Sequence, residues 1–207
     1  HHGRLSALAM EQRWGIFTGN QSHMIFKPFT VFLLSLIFGM AGVSAQAILA
    51  PPFGLQWGDS MDKVLVWAER EKLDMVINIK GAEPELRVIR VTSSTGQLPR
   101  HKAVALETMY HRGRLFEVTL HYGEKGVKPE RLRVDFDKLK KDLVFKYGRF
   151  RPNNKRVEKI DGFVSESVSY HVEPVKGLML MMLFTEMEDT LRKQNSARFS
   201  LLYRNQN

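Results

Sequence analysis

The stretch Phe53-Gly54-Leu55-Gln56-Trp57-Gly58-Asp59-Ser60 separates two unlike parts of the 207-residue chain. Its large apolar residues alternate with small or polar ones, which predicts a short extended segment that presses them to one side. Gly58 ends the alternation, and Asp59 or Ser60 follows where the cap of a helix is expected. We therefore expect Trp57, Gly58 and Asp59 to form a structural motif at the start of a globular domain, with Trp57 in its core.

The segment before this stretch has the parts of a signal peptide. Residues 29–38 are almost all apolar, Lys27 precedes them, and small residues follow as far as Ala47. This order predicts export with cleavage before Gln46 or Ile48. An uncleaved anchor is the alternative, because residues 29–50 are long enough to span a bilayer. In both cases we expect the remainder outside the cytoplasm, in the periplasm or secreted, with membrane contact only through this segment.

The chain is therefore divided into three parts. Residues 1–23 begin with a His pair, precede Met24 and show no periodicity, so we expect an unstructured upstream extension. The true start at Met24 or upstream stays open. Residues 24–47 are the predicted signal peptide, and residues 48–207 are predicted to form a single exported domain.

Composition limits the kinds of site that the domain can hold. The chain contains no Cys, which excludes disulfides, thiolate metal sites and a lipid-anchored N-terminus. The net charge is +9, and a positive excess attracts acidic proteins, lipid head groups and anionic polymers. Charges of both signs alternate along the chain, however, which is also typical of a solvated surface.

The pattern of apolar residues predicts two helices and about six strands. The helices are expected from Met61 to about Lys72 and from Pro129 to Gly148. The strands are expected at Leu86–Thr92, Ala103–Tyr110, Leu115–Tyr122, Phe163–Val172, Leu178–Phe184 and Ala197–Arg204. The polar residues 185–196 fit either a helical turn or a long hairpin loop.

Each half of the domain thus has a helix followed by about three strands. Because short turns join consecutive strands, the strands are expected to pair as antiparallel meanders. We predict an α+β fold in which two helices pack on one face of an antiparallel sheet.

The opening stretch, followed by a helix and a meander, resembles small exported bacterial domains of the β-lactamase-inhibitor-protein-like group. That group includes outer-membrane-assembly lipoproteins. The resemblance covers residues 53–60 and implies a helix pair on an antiparallel sheet, with a role in binding other proteins. The chain lacks the lipid-bearing Cys of the lipoproteins and the disulfides of the inhibitor.

No residue pattern points to catalysis, so we predict that the protein is not an enzyme and uses no cofactor. The histidines His101, His111, His121 and His171 lie in no serine-nucleophile motif and not at the helical spacing of a metalloprotease. The carboxylates at 186, 188 and 189 are expected on a solvated polar loop.

Two classes of binding function remain. We favour a protein-binding or envelope-assembly module whose partner is an envelope protein. The alternative is a basic domain that binds an anionic envelope polymer through the connector between the second helix and the next strand. Its candidate residues are Arg149, Arg151, Lys155 and Arg156, which we expect on an exposed loop because Pro and Asn accompany them. No nucleic acid partner is expected.

A methionine cluster offers a third, less favoured function. Sulfur ligands suit Cu(I), and a copper carrier could use Met179, Met181, Met182 and Met187. Packing within a strand is the simpler interpretation, because Met179 and Met181 alternate with leucines.

Overall fold

The computed structural model describes residues 48–79, 83–124 and 126–207. The predicted upstream extension, signal peptide and cleavage sites lie outside the described residues. Ala45–Asn207 forms one compact unit that contains every member of the hydrophobic core. A unit with its own core has what a domain needs to fold by itself.

The described chain contains two helices and nine strands, and every strand pair is antiparallel. In chain order they are α1 (Met61–Arg70), β1 (Asp74–Ile79), β2 (Leu86–Thr92), β3 (Ala105–His111), β4 (Arg114–Tyr122), α2 (Pro129–Tyr147), β5 (Arg151–Pro152), β6 (Arg156–Ile160), β7 (Phe163–Val175), β8 (Leu178–Asp189) and β9 (Gln194–Asn205). The strands form one sheet in the order β1-β2-β3-β4-β9-β8-β7-β5, and β6 also pairs with β7. The predicted α+β class and the antiparallel sheet are confirmed.

The predicted number of strands in each half is wrong. Four strands follow α1 and five follow α2. The additional strands are β1, β5 and β6, which form the two outer edges of the sheet. Edge strands are short and lack a regular apolar pattern here, so periodicity does not reveal them.

The polar stretch 185–196 is part of a long hairpin. Strand β8 continues to Asp189 and β9 begins at Gln194. Polar side chains in this hairpin have partners, since Thr185 and Ser167 share a hydrogen bond of 2.9 Å and Arg133 donates to Glu186 at 2.8 Å. These contacts allow a polar sequence to remain in regular strands.

The core occupies one side of the sheet. A row of paired residues crosses the four central strands and consists of Leu106, Leu120, Leu201 and Met182, all of them buried. Helix α2 contributes Phe136, whose ring lies 5.2 Å from the ring of Phe184 and 5.5 Å from that of Phe199. Helix α1 adds Val64 and Ala68 to the same cluster. Burial of these side chains supplies the main driving force for folding.

The ends of the elements follow their sequence signals. Helix α2 begins with Pro129 and ends before Gly148, whose φ of 92° few other residues adopt without strain. The β3–β4 hairpin turns at Arg112 and Gly113 with φ of 50° and 77°, as expected for a tight turn with two positive φ angles. Neither of the two described helices has the length and apolar character needed to cross a membrane.

Candidate functional site

The side of the sheet away from the core carries a continuous surface of paired side chains, here called the second face. One of its rows crosses six strands and consists of His171, Met181, Leu202, Thr119, Glu107 and Arg90. The adjacent row consists of Met179, Arg204, Glu117, Met109 and Val88. Directly opposite residues of antiparallel strands lie on the same side, so each row is a line of neighbouring side chains. Charged, hydroxyl and thioether groups therefore alternate across this surface.

An ion pair with a buried carboxylate joins β4 and β9 on the second face. Arg204 on β9 approaches Oε2 of Glu117 on β4 with Nε at 2.6 Å and Nη2 at 2.5 Å. The side chain of Glu117 is only 7% exposed. A carboxylate so little exposed needs a charged donor, which Arg204 provides.

A second charged group connects β2, β3 and β4. Glu107 Oε2 lies 2.9 Å from Nε2 of His121, and its Oε1 accepts a hydrogen bond of 3.1 Å from Nη1 of Arg90. The hydrogen bond with His121 is the main reason why the pKa of Glu107 falls from 4.5 to about 2, and Arg90 contributes further. Glu107 therefore stays ionised at neutral pH, and both of its oxygens are engaged.

Apolar side chains separate the charged groups on this surface. Met181 and Leu202 are paired in adjacent strands, and Leu183 lies two residues along β8 on the same side. Leu183 is 38% exposed. Thioether and leucine side chains at this level of exposure form adaptable contact surfaces.

The methionine cluster predicted from the sequence is divided by the sheet. Met182 lies on the core side and is fully buried, whereas Met179, Met181 and Met187 alternate with it on the second face. A copper ion on the second face would therefore not reach Met182, because successive strand residues point to opposite sides. Packing accounts fully for Met182.

The basic connector is only in part the loop that the sequence predicted, because Arg149 and Lys155 lie outside the strands whereas Arg151 and Arg156 do not. Arg151 lies in β5, paired with His171, and Arg156 begins β6, paired with Ser167. The long strand β7 offers backbone partners that an isolated Pro-Asn segment lacks. All four predicted residues, Arg149, Arg151, Lys155 and Arg156, are exposed. Lys155 forms a 2.6 Å ion pair with Glu166.

The opening motif fixes the chain against the start of β4. Gly58 donates to the carbonyl of Leu115, and the N–H of Leu115 donates to the carbonyl of Asp59, both at 2.9 Å. Trp57 is partly buried against the core, and its Nε1 donates to the carbonyl of Leu49 at 2.9 Å. Trp57, Gly58 and Asp59 therefore bind the entry segment to the sheet.

The predicted side-chain cap of α1 is absent from the described contacts. Ser60 occupies the N-cap position without a side-chain hydrogen bond to the helix. Asp59 Oδ2 instead accepts from the backbone N–H of Gln56 at 2.8 Å. The carboxylate thus closes the turn before the helix, which is a common alternative for Asp.

A cleft of about 930 Å³ lies between residues 97–102 and helix α2. Its floor includes the stacked rings of Tyr122 and Phe199, with centroids 4.4 Å apart, and the half-buried His101. Burial lowers the pKa of His101, and its Nδ1 accepts from the N–H of Ala103 at 3.0 Å. The rim mixes basic residues (Arg100, Lys102, Arg131 and Lys138) with acidic ones (Glu124, Asp135 and Asp142). The cleft therefore has no single charge that would select a ligand.

The four histidines among the described residues do not come together. His121 lies beside Glu107, His171 beside Met181, His101 in the cleft, and His111 beside Glu85 at 3.3 Å. The second face was missed by sequence reasoning because its residues come from six strands distant in the chain. The alternation of polar and apolar residues in β4 and β7 was the available signal.

The chain was compared with known protein families, curated proteins and solved structures. No protein-family model, curated protein or solved structure matches the chain.

Proposed function

We propose that the protein is an exported, non-enzymatic protein-binding module of the bacterial envelope and that the second face is its binding surface. In this proposal α1 and α2 both cover the core side of the sheet, which leaves the opposite side for a partner. Phe136 of α2 supports this placement, because its ring contacts belong to core-side residues of β8 and β9. Val64 and Ala68 of α1 belong to the same core cluster.

The proposal rests on the composition of the second face. Apolar side chains at Met181, Leu183 and Leu202 lie beside charged groups that already have partners. A surface of this kind can lose water on binding without leaving a bare charge, since Glu107 and Glu117 keep their ion pairs. Exposed Arg156 and Arg198 lie in one row of the same face, and exposed Arg151 lies two rows away, in the row of His171. We therefore expect a folded partner with an apolar centre and an acidic rim.

The resemblance of residues 53–60 to exported inhibitor-like and outer-membrane-assembly domains points to the same kind of function.

The cellular location of the protein is tested separately. Mass spectrometry of the chain recovered from the periplasm should find an N-terminus at Gln46 or Ile48, and a full-length chain in the cytoplasm would contradict export.

The binding surface is tested by a matched pair of substitutions. Leu183 on the second face and Val144 on α2 are 38% and 37% exposed. Leu183→Asp should abolish capture of the partner from envelope extract, whereas Val144→Asp should leave capture intact. Binding by the parent chain should persist at about 0.5 M salt, because an apolar centre is little affected by screening. The captured protein is then purified, and its affinity for the three chains is measured by calorimetry.

Three results would contradict the proposal. These are equal loss of binding in both variants, unchanged binding by Leu183→Asp, and no partner retained at either salt concentration.

A second candidate function is binding of an anionic envelope polymer. It rests on the alignment of Arg156, Ser167, Thr185 and Arg198 in one row of the second face. Arg151 lies two rows away on the same side. This arrangement places three guanidinium groups on one face of the sheet, where a chain of negative charges could contact them together.

A further inference from the structure

The two edges of the sheet differ in how they are protected. One edge is formed by β5 and β6, where β5 has two residues and contains Pro152. Strand β6 carries Arg156, Glu158 and Lys159 among its five residues. Short length, proline and charge all discourage pairing with another strand.

The other edge, β1, contains no proline among its described residues and carries little charge. Its sequence Asp-Met-Val-Ile-Asn-Ile contains one charged residue, at position 74, and every position is exposed. Its register with β2 runs without a shift from Asp74 to Ile79, so the strand is regular and contains no bulge. A regular, largely apolar edge with a single charge at its start is a surface on which another strand can pair.

We propose that β1 pairs antiparallel with β1 of a second copy of this chain, so that two sheets join into one. The proposal is independent of the proposed function. In a dimer with a two-fold axis perpendicular to the sheet, the two side chains of each directly opposite pair lie on the same side of the joined sheet. Centring the axis on Ile77 therefore pairs Ile77 with itself, Met75 with Ile79, and Val76 with Asn78.

This register is self-complementary. Met75, Ile77 and Ile79 lie on the side of the sheet that carries the core, because Ile77 is paired with the buried Ile89 of β2. They are 38%, 54% and 59% exposed, so in the dimer one apolar side chain meets another at each of these positions. Val76 and Asn78 lie on the other side, and no pair within this register brings like charges together.

A two-fold axis perpendicular to the sheet keeps the second faces of both copies on the same side. Six residues bury less surface than the roughly 800 Å² per partner of a standard interface, so we expect a micromolar or weaker dimer.

The absence of Cys from the chain makes a site-specific test possible. A chain that begins at Gln46, which holds the complete core, is prepared with one cysteine at position 77, 78 or 157. Ile77→Cys and Val157→Cys are matched, since Ile77 is 54% and Val157 of β6 is 53% exposed. A short bismaleimide should join Ile77→Cys into dimers about tenfold faster than Val157→Cys, because pairing raises the local thiol concentration. Because Asn78 faces Val76 in the proposed register, Asn78→Cys alone should be crosslinked slowly. A mixture of Asn78→Cys and Val76→Cys should be crosslinked faster.

Sedimentation velocity of the parent chain supplies the second measurement. A dimer should appear as concentration rises from about 10 μM to about 1 mM. Ile77→Lys should stay monomeric and Val157→Lys should behave like the parent. Circular dichroism establishes whether each variant is folded. If Ile77→Lys does not fold, the crosslinking of the cysteine variants tests the proposal. A parent chain that stays monomeric at every concentration, or equal crosslinking at positions 77 and 157, would overturn the proposal.

Discussion

Arg204 and Glu117 lie 87 residues apart in the chain and form the least exposed ion pair of the described residues. They connect β9 to β4 at the point where the strands of the second half of the domain meet those of the first. An ion pair at this position favours the register in which Glu117 faces Arg204, because a shift by one residue would move the carboxylate to the core side. The pair therefore specifies how the two halves join, in addition to its effect on stability.

Removal of Arg204 should leave the carboxylate of Glu117 without a cationic partner. Because an uncompensated charge with little exposure is costly, we expect Arg204→Ala to lower the free energy of unfolding by about 2 kcal/mol. Adding Glu117→Ala should restore part of this loss, which is measured as a coupling energy in a double-mutant cycle by urea denaturation.

Arg90 provides the control for this cycle. Its side chain is 43% exposed in its ion pair with Glu107, so Arg90→Ala should cost less than about 1 kcal/mol. Strictly additive losses for Arg204→Ala and Glu117→Ala would show that the pair has no coupling.

Acid should weaken the fold through Glu107. The pKa of this carboxyl is lowered from 4.5 to about 2 in the folded protein, first through the hydrogen bond with His121. A group whose pKa is depressed by folding adds stability above its unfolded pKa and loses it as pH falls toward the folded value. Its contribution should be full above about pH 5 and should disappear between about pH 5 and pH 2.

The Glu107→Gln variant isolates this effect. At pH 7 the parent should exceed the variant in unfolding free energy by about 1 to 2 kcal/mol, a value that allows for the partial exposure of Glu107. The two urea midpoints should converge by about pH 2.5. If the parent and the variant differ in stability by the same amount at pH 7 and at pH 2.5, the lost stability does not come from the charge of Glu107.

The sequence predicted the elements that have a clear one-sided pattern. Helix α2 and strands β4 and β9 bury side chains on one face, β7 packs partly buried side chains against the core, and alternation or helical spacing revealed all four. Strand β1 was missed because Met75, Val76 and Ile77 are consecutive apolar residues with no alternation, and both sides of the strand are exposed. Only its pairing with β2 identifies the segment as a strand.

The second face was beyond prediction for a different reason. Glu117 and Arg204 become neighbours only when β4 pairs with β9, and a single sequence does not specify which strands adjoin. The basic connector shows a related limit. Arg156 was assigned to a loop because Pro and Asn accompany it, whereas backbone pairing with β7 makes it part of a strand. Local composition describes the segment, and tertiary contacts decide its conformation.

Trp57 should stabilise the domain through both its ring and its indole N–H. The ring packs against the core and Nε1 donates to the carbonyl of Leu49 at 2.9 Å. Trp57→Phe keeps most of the packing and loses the hydrogen bond, so we expect a loss of about 1 kcal/mol in unfolding free energy. Trp57→Ala should cost about 3 kcal/mol. Denaturant melts measure both values, and a cost below about 1 kcal/mol for Trp57→Ala together with lost partner binding would identify an exposed anchor.

The basic connector is tested by replacing Arg149, Arg151, Lys155 and Arg156 with Ser. All four are exposed, and exposed charges contribute little to folding, so the melting temperature should change by no more than a few degrees. If the connector binds an anionic envelope polymer, retention of the parent chain on immobilised polymer should fall steeply between about 50 mM and 500 mM salt. The variant should already lose that retention at the lower concentration.

The matched control removes the same charge from helix α2. Replacing the exposed residues Arg131, Lys138, Lys141 and Lys146 with Gln also lowers the net charge by four and keeps good helix formers. If location on the edge formed by β5 and β6 matters, this control should keep most of its retention at low salt while the connector variant loses it. Equal losses in both variants would mean that the polymer senses only net charge, and unaltered retention in the connector variant would exclude this edge as its binding site.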